Sequence, residues 1–190
     1  MTTKDLTAMQ PNKARADLWM DLGLVAFLIA FVVAARLLPH APGFLPVAAS
    51  GLFAARVLRI PALAIMVPVL GMILSDVALP GEDWRIQAIG FAAIATPALL
   101  GIATRRWNTV LPTVATVVVS SILFFALSNG AVWAFSGMYP LTSAGLTQCY
   151  ILALPFLEKT MLGDLFWTGV LFGGFWMVQH GPALLARRAQ

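Results

Sequence analysis

The chain is poor in the residues on which most soluble enzymes are built. It holds one cysteine, Cys149, and two histidines, His40 and His180, among 190 residues. A single cysteine excludes a disulfide within the chain and any multi-cysteine metal site. Charge is scarce as well: 11% of the residues are charged, against about 25% in soluble domains. That leaves too little polar surface to keep a compact globule in water. Catalytic signatures are missing. An intramembrane aspartyl protease needs glycine two positions before its Gly-Asp pair, but Met161 precedes Leu162, Gly163 and Asp164. A rhomboid-type serine site wants Gly-x-Ser-Gly, and the chain has Ala48, Ala49, Ser50 and Gly51. There is no His-Glu-x-x-His, which excludes a zinc protease of that kind. No fixed period marks a solenoid or an inverted-repeat transporter. An enzyme is therefore not expected, nor a bound cofactor.

What the sequence has in abundance is apolar surface. Hydrophobic residues make up 60% of it and the mean hydropathy is +0.87, so the bilayer is its natural solvent. A spanning helix takes about 20 residues, which leaves room for six crossings and no soluble catalytic domain. Residues 1–17 read as a polar cytoplasmic tail, disordered or interfacial, and 181–190 as a basic one. Between them, 18–180 reads as one six-helix transmembrane domain. Its runs are Leu18–Leu38, Leu45–Leu58, Ile60–Leu79, Ile86–Thr104, Thr109–Phe135 and Thr160–Val178. The first exceeds the apolar core of a signal peptide, about 7–15 residues, and is taken as a helix that stays. The second is short, and reads as a tilted span, a re-entrant segment or an interfacial helix; a span suits the charges best. Pro68 is expected to kink the third. Residues 136–159, with Gly137, Pro140, Gly145 and Pro155, read as an outer loop plus a short helix, interfacial or re-entrant.

Charge orients this all-α bundle. With both termini inside, the inner side collects Lys4, Lys13, Arg15, Arg56, Arg59, Arg105, Arg106, Arg187 and Arg188, and the outer side only Arg36, Arg85 and Lys159. That asymmetry is the positive-inside pattern. The formal charge of +4 is spread between apolar runs rather than gathered in a patch, so no nucleic-acid partner is expected.

Polar groups at membrane depth are costly, and their positions are the main functional clue. They converge on the outer half: Asp76 after Ser75, Asn129 and Trp133, then Tyr139, Gln148, Cys149 and Tyr150, then Thr160 and Asp164. An outward pocket lined by Asp76, Asn129, Trp133, Tyr139, Cys149, Tyr150 and Asp164 is the candidate site for a small molecule. Plainer readings stand beside it. Asp76 ends a helix at the headgroups, Asn129 joins helices as polar glue, the aromatics form an interfacial belt, and Cys149 is a small apolar filler. Ala26, Ala30 and Ala34 make a small-residue stripe on the first helix, on which a helix of this chain or of another can pack.

The residues also carry a resemblance. Leu52-Phe53-Ala54, Val67-Pro68 and Leu74-Ser75-Asp76, then Phe124-Phe125 with Asn129 and Trp133, Tyr139-Pro140, Gly145-Leu146, Cys149-Tyr150, Leu154-Pro155-Phe156, Thr160 and Leu162-Gly163-Asp164 resemble a bacterial family of inner-membrane proteins described as transport proteins, with no solute assigned. The resemblance covers about residues 40 to 175. That family is similar to the S-components of energy-coupling factor transporters, six-helix proteins that bind vitamins or metal ions from outside. The likeness implies uptake of a vitamin, corrinoid or metal-type micronutrient across the bacterial inner membrane. It implies that Ala26, Ala30 and Ala34 dock a coupling transmembrane subunit that carries ATPases. By analogy with solitary S-component-like cobalamin transporters, it also implies Cys149 as a cobalt ligand of a corrinoid. The alternative from another class is an inner-membrane assembly or structural protein whose polar cluster serves packing alone.

Overall fold

A computed structural model describes the backbone of residues 3–79, 81, 83–107 and 109–188, and the side chains of 13–79, 81, 83–107 and 109–181. Lys4, Arg187 and Arg188, counted above on the inner side, lie outside the described side chains. Among the described residues the chain is helical throughout, with no strand: α1 (Thr3–Leu37), α2 (Val47–Val57), a 3-10 turn (Pro61–Ile65), α3 (Met66–Asp76), α4 (Trp84–Ile94), α5 (Thr96–Ala103), α6 (Val110–Phe135) and α7 (Ser143–Arg188).

Four stretches are long and apolar enough to cross a membrane: Lys13–Leu37, Trp84–Ala103, Val110–Phe135 and Ser143–Gly181. The helices for the second and third runs are shorter. Eleven residues of α2 rise about 16 Å, roughly half of a 30 Å hydrocarbon core. α2 is buried on nearly every side, as an apolar helix in a bundle interior should be. Its small residues permit this. A Cβ on Gly51 would stand 3.1 Å from the Pro68 ring, and one on Gly101 of α5 would stand 2.8 Å from Ala55. Leu52 of α2 is fully buried, and around the helix sit the fully buried Leu28, Val32, Leu58 and Val67.

Three expectations need correction. The N-terminal segment is helical rather than disordered, because α1 begins at Thr3, and it contains Asp17, with Asp21 one turn on. Asp17 pairs with Arg59, and Asp21 Oδ2 accepts the Ile60 N–H at 2.9 Å, fastening α1 to the α2–α3 link. Next, the break expected at Pro68 falls upstream, where the 3-10 turn passes into α3 at Met66. Pro68 then lies in the first turn of α3, where a missing N–H costs little. Lastly, 136–159 is a turn over 136–142 followed directly by α7. Thr142 Oγ1 accepts the Gly145 N–H at 3.1 Å and so caps the helix. Pro155 lies inside α7, since helices in apolar surroundings tolerate one missing N–H. The 39 residues from Ser143 to Gly181 rise about 58 Å, nearly twice the bilayer core, so α7 must tilt, bend or protrude.

The arginines at the Val57 end are fastened to the backbone. Arg56 donates from Nη1 to Trp107 O at 3.1 Å and from Nη2 to Thr104 Oγ1 at 2.8 Å. Arg105 donates to Leu58 O at 2.6 Å, closing the end of α2.

Candidate functional site

The polar residues predicted to share one pocket separate into two groups. Asn129, Trp133, Cys149 and Tyr150 lie in the seam between α6 and α7, and their polar atoms go to backbone. Asn129 Nδ2 donates to Phe125 O at 2.9 Å, Tyr150 OH to Ala126 O at 2.6 Å, Trp133 Nε1 to Pro140 O at 3.0 Å, and Cys149 Sγ to Asn129 O at 3.5 Å. The Tyr150 ring meets Phe125 edge-on, with centroids 5.5 Å apart. Cys149 is 1% exposed, so an external ligand would have to part the two helices to reach it. Tyr139 is half-buried in the connecting turn, and Glu158 and Lys159 are exposed.

Asp76 and Asp164 form the other group, around a residue the sequence reading counted only as an outer charge. Arg36, in the last turn of α1, donates from Nη1 to Asp76 Oδ1 at 2.7 Å, Ser75 Oγ at 2.5 Å and Met72 O at 3.2 Å. Gln87 of α4 donates to Asp76 Oδ2 at 3.1 Å. The pair is mostly buried, with side chains 14% and 20% exposed, and it ties α1, α3 and α4 together. Asp164 is 5% exposed. Its Oδ2 accepts from Ser121 Oγ at 2.7 Å, and no hydrogen bond reaches its Oδ1 from the described residues. Ser121 is near the middle of α6 (Val110–Phe135), so this carboxylate is placed at mid-depth of the bundle.

Space runs between these groups. At the Asp76 end, a cavity of about 450 Å³ is bounded by Arg36, Asp76, Gln87, Phe124 and Ser128. Arg36, Met72 and Phe124 are also walls of a second cavity of about 150 Å³, whose far wall is Asp164 with Thr160 and Ser120. Asp164, Ser120, Ala48 and Pro97 in turn border a void of about 10 Å³ that reaches Thr168 and Val117. Those two residues line a cavity of about 740 Å³ between α6 and α7, which runs on to Arg56, Thr109 and Gln179. Four spaces thus follow one another from one end of the bundle to the other, sharing walls at Arg36, Asp164 and Thr168. The Thr168 hydroxyl is buried with no hydrogen-bond partner among the described residues, and such a group needs water or a ligand to satisfy it.

The backbone around the central cavity is arranged to reach it. The α1–α2 connection turns inward at Gly43, φ +78°, and a Cβ there would stand 3.0 Å from Thr160 Oγ1. Its partner is Gly163, where a Cβ would stand 3.0 Å from Gly43 O. Phe44 packs on Phe166 and Trp167, with centroids 5.2 and 6.4 Å away. The first residues of α2, Val47 and Ala48, then line the cavity beside Gly43 and Leu45. The connection is exposed over residues 38–42 and becomes part-buried at 43–45 and buried at Pro46, where it meets the cavity. Among the described residues there is no group of three or more metal-ligating side chains. Signals for the missed residues were present. Arg36 falls inside an apolar run, and Thr160, Asp164 and Thr168 recur at every fourth position on one helical face. Ala26, Ala30 and Ala34 are all exposed on α1, which removes packing within this bundle as the reason for that stripe.

No curated protein and no solved structure matches the chain. Residues 17–185, nearly all of the helical bundle, do match a described family, and the chain belongs to it: the family of unknown function DUF6580.

Proposed function

We propose that this protein takes up a small solute across the bacterial inner membrane, through a bundle of six crossings with both termini cytoplasmic. The observation that carries this reading is the row of neighbouring cavities that share walls at Arg36, Asp164 and Thr168. A protein that only packs against a neighbour gains nothing from buried carboxylates bordering empty space, which are expensive in a bilayer and mark solute pathways. Four long helices and two shorter ones, Val47–Val57 and Pro61–Asp76, make up the six crossings, and the lysine and arginine asymmetry sets the orientation. The solute enters at the 450 Å³ cavity beside Asp76, rests in the 150 Å³ cavity against Asp164, and leaves through the 740 Å³ cavity. The void of about 10 Å³ between the last two holds at most one water, so passage needs α6 and α7 to shift. The central cavity is smaller than the roughly 300–1,000 Å³ of drug-sized sites. That size favours a compact solute over a corrinoid. The exposed Ala26, Ala30 and Ala34 stripe is the docking face for an energy-coupling subunit with ATPases.

Native mass spectrometry on the protein extracted gently from its own membrane tests this. The reading expects a retained small molecule, lost in Asp164→Ala at unchanged yield of folded protein. The bare chain found repeatedly with one larger membrane protein, and no small molecule, would favour an assembly role instead.

A further inference from the structure

The central cavity is bordered by two residues of opposite charge, Arg36 and Asp164. Arg36 makes its three hydrogen bonds from Nη1 alone, and the described residues leave its Nε and Nη2 with no acceptor. Across the same 150 Å³ space, Asp164 is engaged only through Oδ2. The Arg36 side chain is 14% exposed and Asp164 5% exposed, and a charged group so placed is stabilised when its remaining polar atoms meet a partner. The nearest such partners are missing for a geometric reason: Arg36 is held toward Asp76 and Ser75, and Asp164 toward Ser121. The remaining walls, Leu45, Val47, Met72, Ile94 and Phe124, are apolar. The space is several times the roughly 10–15 Å³ that one water needs, which leaves room for a compact molecule.

We propose that the central cavity binds a compact zwitterion, its carboxylate on the free edge of Arg36, its ammonium on Asp164 Oδ1, and its short apolar body against Phe124 and Met72. This rests on the reading of the neighbouring cavities as a solute path and names the class of solute that the path carries. A ligand with a single charge leaves one edge unmet. A neutral one leaves both.

Isothermal titration calorimetry on the detergent-solubilised full chain tests the proposal with four probes of similar size: L-valine and 4-aminobutyrate, which differ in charge separation, and n-butylammonium and butyrate, which each keep one charge. At least one zwitterion is expected to bind one per chain, with both singly charged probes weaker by about tenfold or more, the worth of one charged hydrogen bond. Asp164→Asn should erase the preference of that zwitterion over butyrate while leaving butyrate binding within about twofold. The wild-type comparison needs no variant to fold, so it decides alone if the substituted protein is unstable. Butyrate or n-butylammonium binding as tightly as the better zwitterion, or no binding by either zwitterion, overturns the proposal. A retained native solute that is not zwitterionic would do the same and leave the uptake reading standing.

Discussion

The α6–α7 seam and the Arg36–Asp164 axis both set polar residues within apolar helices, yet they do different jobs. In the seam, Asn129, Trp133, Cys149 and Tyr150 give their polar atoms to backbone carbonyls of α6 and the following turn. Along the axis, Arg36 and Asp164 keep an edge that no described residue meets, and both border a cavity. The difference teaches that polarity within a membrane segment marks either packing or a site. What separates the two is whether the local helix can satisfy the group. An asparagine can bond the carbonyl one turn back, and a tyrosine can reach one on a neighbouring helix. A guanidinium with five donors and a carboxylate with no donor cannot be satisfied so cheaply.

Substitutions can break that contrast. The largest effect is expected from Arg36→Ala, which strands Asp76 in a mostly buried position; stability should fall by about 2 kcal/mol, read as a lower thermal midpoint in detergent. The double variant with Asp76→Ala should recover part of that loss, and no recovery would mean that the ion pair is not what joins α1 to α3. Cys149→Ala removes a buried sulfur from the seam and should cost about 1 kcal/mol, with solute binding unchanged. A loss of binding at constant stability would move Cys149 from the seam to the site. Ala30→Leu sits on an exposed face and should alter stability by no more than about 0.5 kcal/mol. Uptake in cells should nevertheless be abolished if the stripe docks a coupling subunit, and normal uptake would dismiss that docking face.

The smallest effect lies outside the membrane. Asp83 caps α4 by accepting the Arg85 N–H at 2.8 Å. The Arg85 guanidinium, and then its backbone N–H, hold the Asp83 carboxyl at about 2, below the usual 3.8. A depressed carboxyl contributes stability above the unfolded value and loses it as pH falls through the folded one. The contribution should therefore be complete above about pH 4 and fade toward pH 2. Asp83→Asn should flatten unfolding curves in that window and leave neutral pH nearly untouched.

The sequence made much of the fold legible. The first, fourth, fifth and sixth apolar runs lie in helices that are long enough to span, because length and hydropathy decide that directly. Helix α7 was half hidden. Gly145 and Pro155 signal a loop, and Gly145 does have a local reason: a Cβ there would collide with Pro140 O. That reason lies in a tight turn packed on a helix start rather than in a longer loop. Asp76 and Asp164 stood out in the sequence, whereas the link between them through Arg36 did not. Which faces of α1, α3, α6 and α7 share a cavity depends on helix packing, which a single sequence does not encode locally.

Cysteine accessibility along α6 would decide most directly between a solute path and a packed bundle. On a Cys149→Ser background, single cysteines at Ser128 in the first cavity, Thr113 in the last and the exposed Leu127 would be treated in intact membranes with a membrane-impermeant thiol reagent. Labelling of the Ser128 variant from outside and of the Thr113 variant only from inside, with the Leu127 variant silent in lipid, is the predicted pattern. Silence at both cavity positions, or labelling of Leu127 as fast as Ser128, would contradict a water-accessible path through the bundle.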